Sequence, residues 1–163
     1  MRAIVDTNVL VVANGRNTHA DLGCQIQCVS AIREISLKGT VVLDGRDLIL
    51  DEYRRHLNLK GEPGPGDAFF KHIHDNLYFT NRVERVSITA VDDEERAFEE
   101  LPANTLDRSD RKFLAVAVVS KAPILNATDS DWHDARALIS SLAVEVTQLC
   151  PQHAVGHDRP VQT

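Results

Sequence analysis

The chain of 163 residues is the length of one ordinary domain, able to bury about two-thirds of the surface its unfolded form would expose. With 43% hydrophobic and 26% charged residues it falls among globular domains, which excludes a disordered chain and a small disulfide scaffold. Its net charge of −6 argues against a non-specific polyanion binder, and no apolar run approaches the roughly 20 residues of a membrane span.

The first predicted element is a strand over Arg2 to Asp6, in which Ala3, Ile4 and Val5 are buried and Asp6 stands where the apolar run breaks. A signal peptide would place its apolar core there, so the acid points to a cytoplasmic protein. Burying an unpaired carboxylate costs several kcal/mol, so Asp6 needs a hydrogen bond, an ion pair or a metal. His19 to Lys38 follows as an amphipathic helix, stopped by Gly39. It carries Cys24 and Cys28 one turn apart, and Cys150 lies far along the chain. Three cysteines read as thiols in a reducing compartment, with a Cys-Cys-His zinc site as the alternative.

Thr40 to Leu43 is the second strand, and Arg46 to Leu59 a helix with Leu48, Ile49, Tyr53 and Leu57 as its apolar stripe. The breaker GEPGPG at 61–66 separates it from a helix over Asp67 to Leu77. A third strand over Arg85 to Thr89 leads to a short helix over Asp92 to Leu101. A buried helix over Ser109 to Ser120 comes next, with Ser109 as N-cap and Asp110 in its first turn. The fourth strand, Pro123 to Ala127, runs into Asp129 and Asp131. A helix over Asp134 to Ser141 and a fifth strand over Ala143 to Thr147 complete a domain spanning 1–150. The remainder, 151–163, has little apolar content and reads as a mobile tail.

Strands alternating with helices predict an α/β fold with a mostly parallel five-stranded sheet flanked by helices. In right-handed crossovers, strand C-termini and helix N-termini share one rim. Asp6, Glu52, Asp110, Asp129 and Asp131 therefore gather there. Oxygen ligands of this kind suit Mg²⁺ or Mn²⁺. Arg54 and Arg55 follow Glu52, while Arg111 and Lys112 follow Asp110, so the acids stand among basic residues that could meet phosphates. Thr7 and Asn8 are placed to orient Asp6 by hydrogen bonds.

Four segments in chain order resemble the PIN domain nucleases. VDTNVL at residues 5–10 looks like that family's first strand with its acid, and LDEYRRHL at 50–57 like its second helix with a metal-site Glu. DRKFLAVA at 110–117 is similar to the helix opened by the third acid, and ATDSDW at 127–132 to the motif after the fourth strand. Ala127 stands where Thr is common in that motif, and Trp132 where Phe or Leu is common. Asp51 beside Glu52 leaves open which of the two is the second acid. A haloacid-dehalogenase-type phosphatase also starts from a strand-ending Asp, but it needs a second Asp where this chain has Asn8.

The resemblance implies a PIN-like three-layer sandwich and an endoribonuclease that hydrolyses RNA phosphodiester bonds. In it Asp6, Asp110 and Asp129 hold a divalent ion, with Glu52 directly or through water and Asp131 as a further metal-site residue. A metal-bound hydroxide attacks in line, and Arg54, Arg55, Arg111 and Lys112 contact phosphate. Within the family the expectation is a toxin of the VapC type, with a small antitoxin partner and homodimerisation, although a housekeeping RNA-processing nuclease would carry the same residues. A catalytically inactive PIN-like module that binds RNA or protein is the alternative reading.

Overall fold

The computed structural model describes residues 1–155. In chain order the elements are β1 (Arg2–Val5), α1 (Thr7–Asn14), α2 (Leu22–Lys38), β2 (Thr40–Asp44), α3 (Leu48–His56), α4 (Pro65–Asp75) and β3 (Val83–Val86). There follow α5 (Arg111–Ser120), β4 (Ile124–Asn126), α6 (Asp131–Asp134), α7 (Arg136–Ser141), β5 (Val146–Gln148) and α8 (Pro151–Ala154). The strands form one five-stranded sheet in the order β3-β2-β1-β4-β5. Every pairing is parallel.

Central strand β1 is short, but Ala3, Ile4 and Val5 are wholly buried, as the continuous apolar run requires of a strand covered on both faces. Right-handed crossovers place α1, α2 and α4 on one face and α5 on the other. α1 packs against α2 and α4, whereas α5 lies across β1 to β4 with Phe113, Leu114, Ala115, Val116 and Ala117 buried. No helix among the described residues is long and apolar enough to cross a membrane.

Several elements differ from the sequence expectation. α1 is absent from it, because the uniformly apolar, largely β-branched VLVVA shows no helical stripe. Caps decide the matter: Asp6 ends the strand by accepting from the Asn8 N–H, and Gly15 closes the helix in the left-handed conformation at φ 67°. Residues 92–101 are not a helix. Ala90 and Phe98 form an antiparallel bridge, and the turn between them passes through Glu95 at φ 55°. The run Asp92 to Arg96 offers no apolar stripe with which a helix could pack. Asp110 is the N-cap of α5 rather than a first-turn residue, and the helix expected over 134–141 is divided at Ala135 into α6 and α7.

The C-terminal region is also corrected in part. Pro151–Ala154 is helical, with Ala154 buried, while residues 156–163 of the expected tail lie outside the described residues. Cys24 and Cys150 are not thiols but a disulfide, which ties the N-terminal turn of α2 to the start of α8 across 126 residues. The expectation of free thiols therefore holds for Cys28 and not for these two cysteines. His153 Nε2 adds a second tie to Asp21 Oδ2 at 3.1 Å. Cys28 remains a buried free thiol, pushed up to about 12 by its burial.

Candidate metal centre at the sheet edge

Connections leave the C-terminal ends of β1 and β4 in opposite directions, since β1 leads outward to β2 and β4 outward to β5. Such a switch point opens a crevice beyond the strand ends, and ligands of open α/β sheets bind there. Asp6 is the residue after β1, Asp129 follows β4, and Asp110 starts α5 on the facing side. One carboxylate oxygen from each of these three lies within 4.8 Å of the others.

Polar neutral groups hold the arrangement in place. Asn8 Nδ2 donates to Asn126 Oδ1 at 2.8 Å, and Asn8 Oδ1 accepts from the Ala127 N–H at 2.8 Å, which joins the ends of β1 and β4. Asn126 is fully buried, and its Nδ2 also donates to Gln148 Oε1 at 2.7 Å and to the Asp129 carbonyl at 2.8 Å. Asp129 Oδ1 accepts from the Asp131 N–H at 2.9 Å. Asp6 Oδ2 accepts from Trp132 Nε1 at 2.6 Å and Oδ1 from the Asn8 N–H at 3.2 Å. Tyr53 donates its hydroxyl to the Val5 carbonyl immediately before Asp6.

Asp110 makes no side-chain cap bond to its own helix, so a local role at the N-terminus of α5 does not account for it. Among the described residues, no Lys, Arg or His forms an ion pair with Asp6, Asp110 or Asp129. Burial, with Asp129 and Glu52 adding repulsion, raises Asp6 to about 7 even though the Trp132 and Asn8 bonds oppose it. Burial and the charges of Asp6 and Asp129 push Asp110 up to about 9. Asp129 is raised too, chiefly by burial. Three clustered carboxylates without a counter-charge must take up protons or a cation, and an all-oxygen donor set fits a hard divalent ion.

Glu52 stands just outside this trio. Its Oε2 accepts from Thr7 Oγ1 at 2.6 Å, and its Oε1 meets Lys112 Nζ at 3.4 Å. Asp51 is exposed and pairs with Arg54 on the surface of α3, so of the two adjacent acids only Glu52 faces the centre. Asp131 lines a neighbouring cavity of about 370 Å³ with Asp107 and Asp134. A second cavity of about 370 Å³ has a mixed lining, in which Arg55, Arg96, Arg108 and Lys112 face Glu52 and four further acids. Arg55 and Lys112 are thus brought beside the acids. Arg111 is engaged elsewhere, since Nε donates to the Leu106 carbonyl at 2.9 Å and secures the preceding loop.

Sequence reasoning missed Asn126, Trp132 and Tyr53. Asn126 carried the same signal as Asp6, a polar residue closing an apolar strand. No local pattern marks an indole or a phenol that reaches 126 or 48 residues back along the chain.

No protein-family model, curated protein or solved structure matches this chain. Fold and site define an α/β protein with an all-parallel sheet and an acidic centre at its switch point.

Proposed function

We propose that this chain is a PIN-like, divalent-metal-dependent ribonuclease that hydrolyses RNA phosphodiester bonds. The observation that carries the reading is the trio Asp6, Asp110 and Asp129, the first two buried and the third half-buried, with oxygens within 4.8 Å and, among the described residues, no cationic side chain paired to them. When bound, Mg²⁺ or Mn²⁺ supplies a water acidified enough to act as nucleophile and a Lewis acid for the phosphoryl oxygen. Asp6, Asp110 and Asp129 hold the ion. Asn8 and Asn126 fix the two strand ends from which Asp6 and Asp129 project.

Glu52, held by Thr7 and Lys112, keeps a carboxylate beside the trio where it can bind a water or take a proton. Arg55, Arg96, Arg108 and Lys112 stand in the adjoining cavity among Asp51, Glu52, Glu94, Glu95 and Asp107, so single cations there can contact phosphates although the lining as a whole is not positive. The test is cleavage of unstructured RNA with Mn²⁺ present or chelated, comparing wild type with Asp6→Asn. Metal-dependent cleavage by wild type, lost in the variant, is expected. Equal inertness of both proteins, or cleavage that persists in chelator, would sink the reading.

A further inference from the structure

Trp132 is the only tryptophan of the chain, and it is 1% exposed at the start of α6. A buried indole N–H needs an acceptor. Here that acceptor is not a main-chain carbonyl but Asp6 Oδ2, at 2.6 Å. An indole can only donate and carries no charge. It therefore fixes one carboxylate oxygen without neutralising the acid, as a lysine would, and without competing for a metal, as a histidine would. The other Asp6 oxygen takes the Asn8 N–H at 3.2 Å, so the carboxylate plane is set from both ends.

We infer that Trp132 is a positioning residue for the metal centre: its indole locks Asp6 in the orientation that meets Asp110 and Asp129, and the indole in turn registers whether a cation is bound. This rests on reading the trio as a metal site. α6 begins two residues after Asp129, whose Oδ1 accepts from the Asp131 N–H. The short helix thus steers two of the three acids at once, Asp129 through a backbone amide and Asp6 through the indole. A purely space-filling side chain at 132 would leave Asp6 Oδ2 without its buried donor.

The full chain labelled with ¹⁵N on the indole gives one indole resonance, which is followed during Mg²⁺ titration alongside calorimetry. That resonance is expected to shift saturably with the calorimetric affinity. Trp132→Phe is expected to weaken Mg²⁺ binding about 10–100-fold, with RNA cleavage recovering as Mg²⁺ is raised and KM for RNA unchanged. Absence of Mg²⁺ uptake by wild type overturns the metal centre itself, and this inference with it. Uptake with an unmoved indole resonance, or Trp132→Phe binding Mg²⁺ within about twofold of wild type, overturns the inference alone. Should Trp132→Phe fail to fold, the wild-type indole resonance decides.

Discussion

Replacing Asp110 with Asn should stabilise the metal-free protein. Asp110 is 6% exposed, and burial together with the neighbouring acids raises its carboxyl from 3.8 to about 9. Between those values the folded state binds more protons than the unfolded chain, so this group makes stability fall as pH rises, opposite in sign to a salt-bridged carboxylate. At about 1.4 kcal/mol per pH unit above the unfolded value, the cost reaches about 4 kcal/mol near pH 7 and shrinks to about 1–2 kcal/mol near pH 5. An amide of the same shape does not carry that cost. Taking about 2–4 kcal/mol at neutral pH and roughly 2–4 °C per kcal/mol for a chain of this size, Tm in chelator should rise by roughly 5–15 °C. Thermal unfolding followed by circular dichroism in EDTA, as the difference between variant and wild type across this pH range, measures it. Mg²⁺ should close the gap, since a thousandfold excess over Kd adds about 4.1 kcal/mol to whichever protein binds it. A variant less stable than wild type in EDTA above neutral pH, or a difference that does not shrink toward pH 5, would refute the reasoning.

Glu52→Gln should lower RNA cleavage while changing Mg²⁺ affinity less than Asp110→Asn does, because Glu52 lies outside the trio; calorimetry beside cleavage rates separates the two. Asn126→Ala leaves Asn8, Gln148 and the Asp129 carbonyl short of partners and should cost about 2–4 kcal/mol, read as a loss in the urea midpoint. Alkylation of the unfolded chain should modify one thiol, Cys28, before reduction and three after it, counted by mass spectrometry. Cys150→Ser should cost about 2–4 kcal/mol relative to the oxidised protein and nothing relative to the reduced one.

Much of the architecture was legible because it depends on local pattern. Five apolar runs separated by helix-length segments dictate the parallel sheet, and the sheet dictates which rim collects the acids. What escaped depends on contacts distant in sequence. Nothing in VLVVA marks α1 as a helix until Asp6 is seen accepting from Asn8 and Gly15 closing the last turn. The charged run Asp92 to Arg96 has helical composition, yet without an apolar face it becomes a turn between Ala90 and Phe98. The disulfide was hidden because one cysteine spacing is local and the other is not. Cys24 meets Cys150 only after β5 has brought the chain back beside α2.

The sequence signal that first marked Asp6 also marks Asp44, and Asp44 together with Asp67, a buried acid in the first turn of α4, shows what distinguishes a site from a brace. Asp44 ends β2 as Asp6 follows β1, after an equally apolar run, and it is completely buried. Its oxygens, however, accept the backbone N–H groups of Arg46, Leu48 and Ile49 at 2.9–3.0 Å, so it secures the entry to α3. Asp67, 1% exposed, is likewise spoken for. Burial works to raise it, but the N–H groups of Asn58 and Gly64 and the guanidinium of Arg16 at 2.8 Å hold it below the usual carboxylate range. Both are satisfied by the fold. Asp6 and Asp110 are nearly as buried, yet they receive an indole, one backbone amide and each other's repulsion. The strand-end position is shared with Asp44; the shortfall of donors is not, and it sets the trio apart from the acids that the fold itself satisfies.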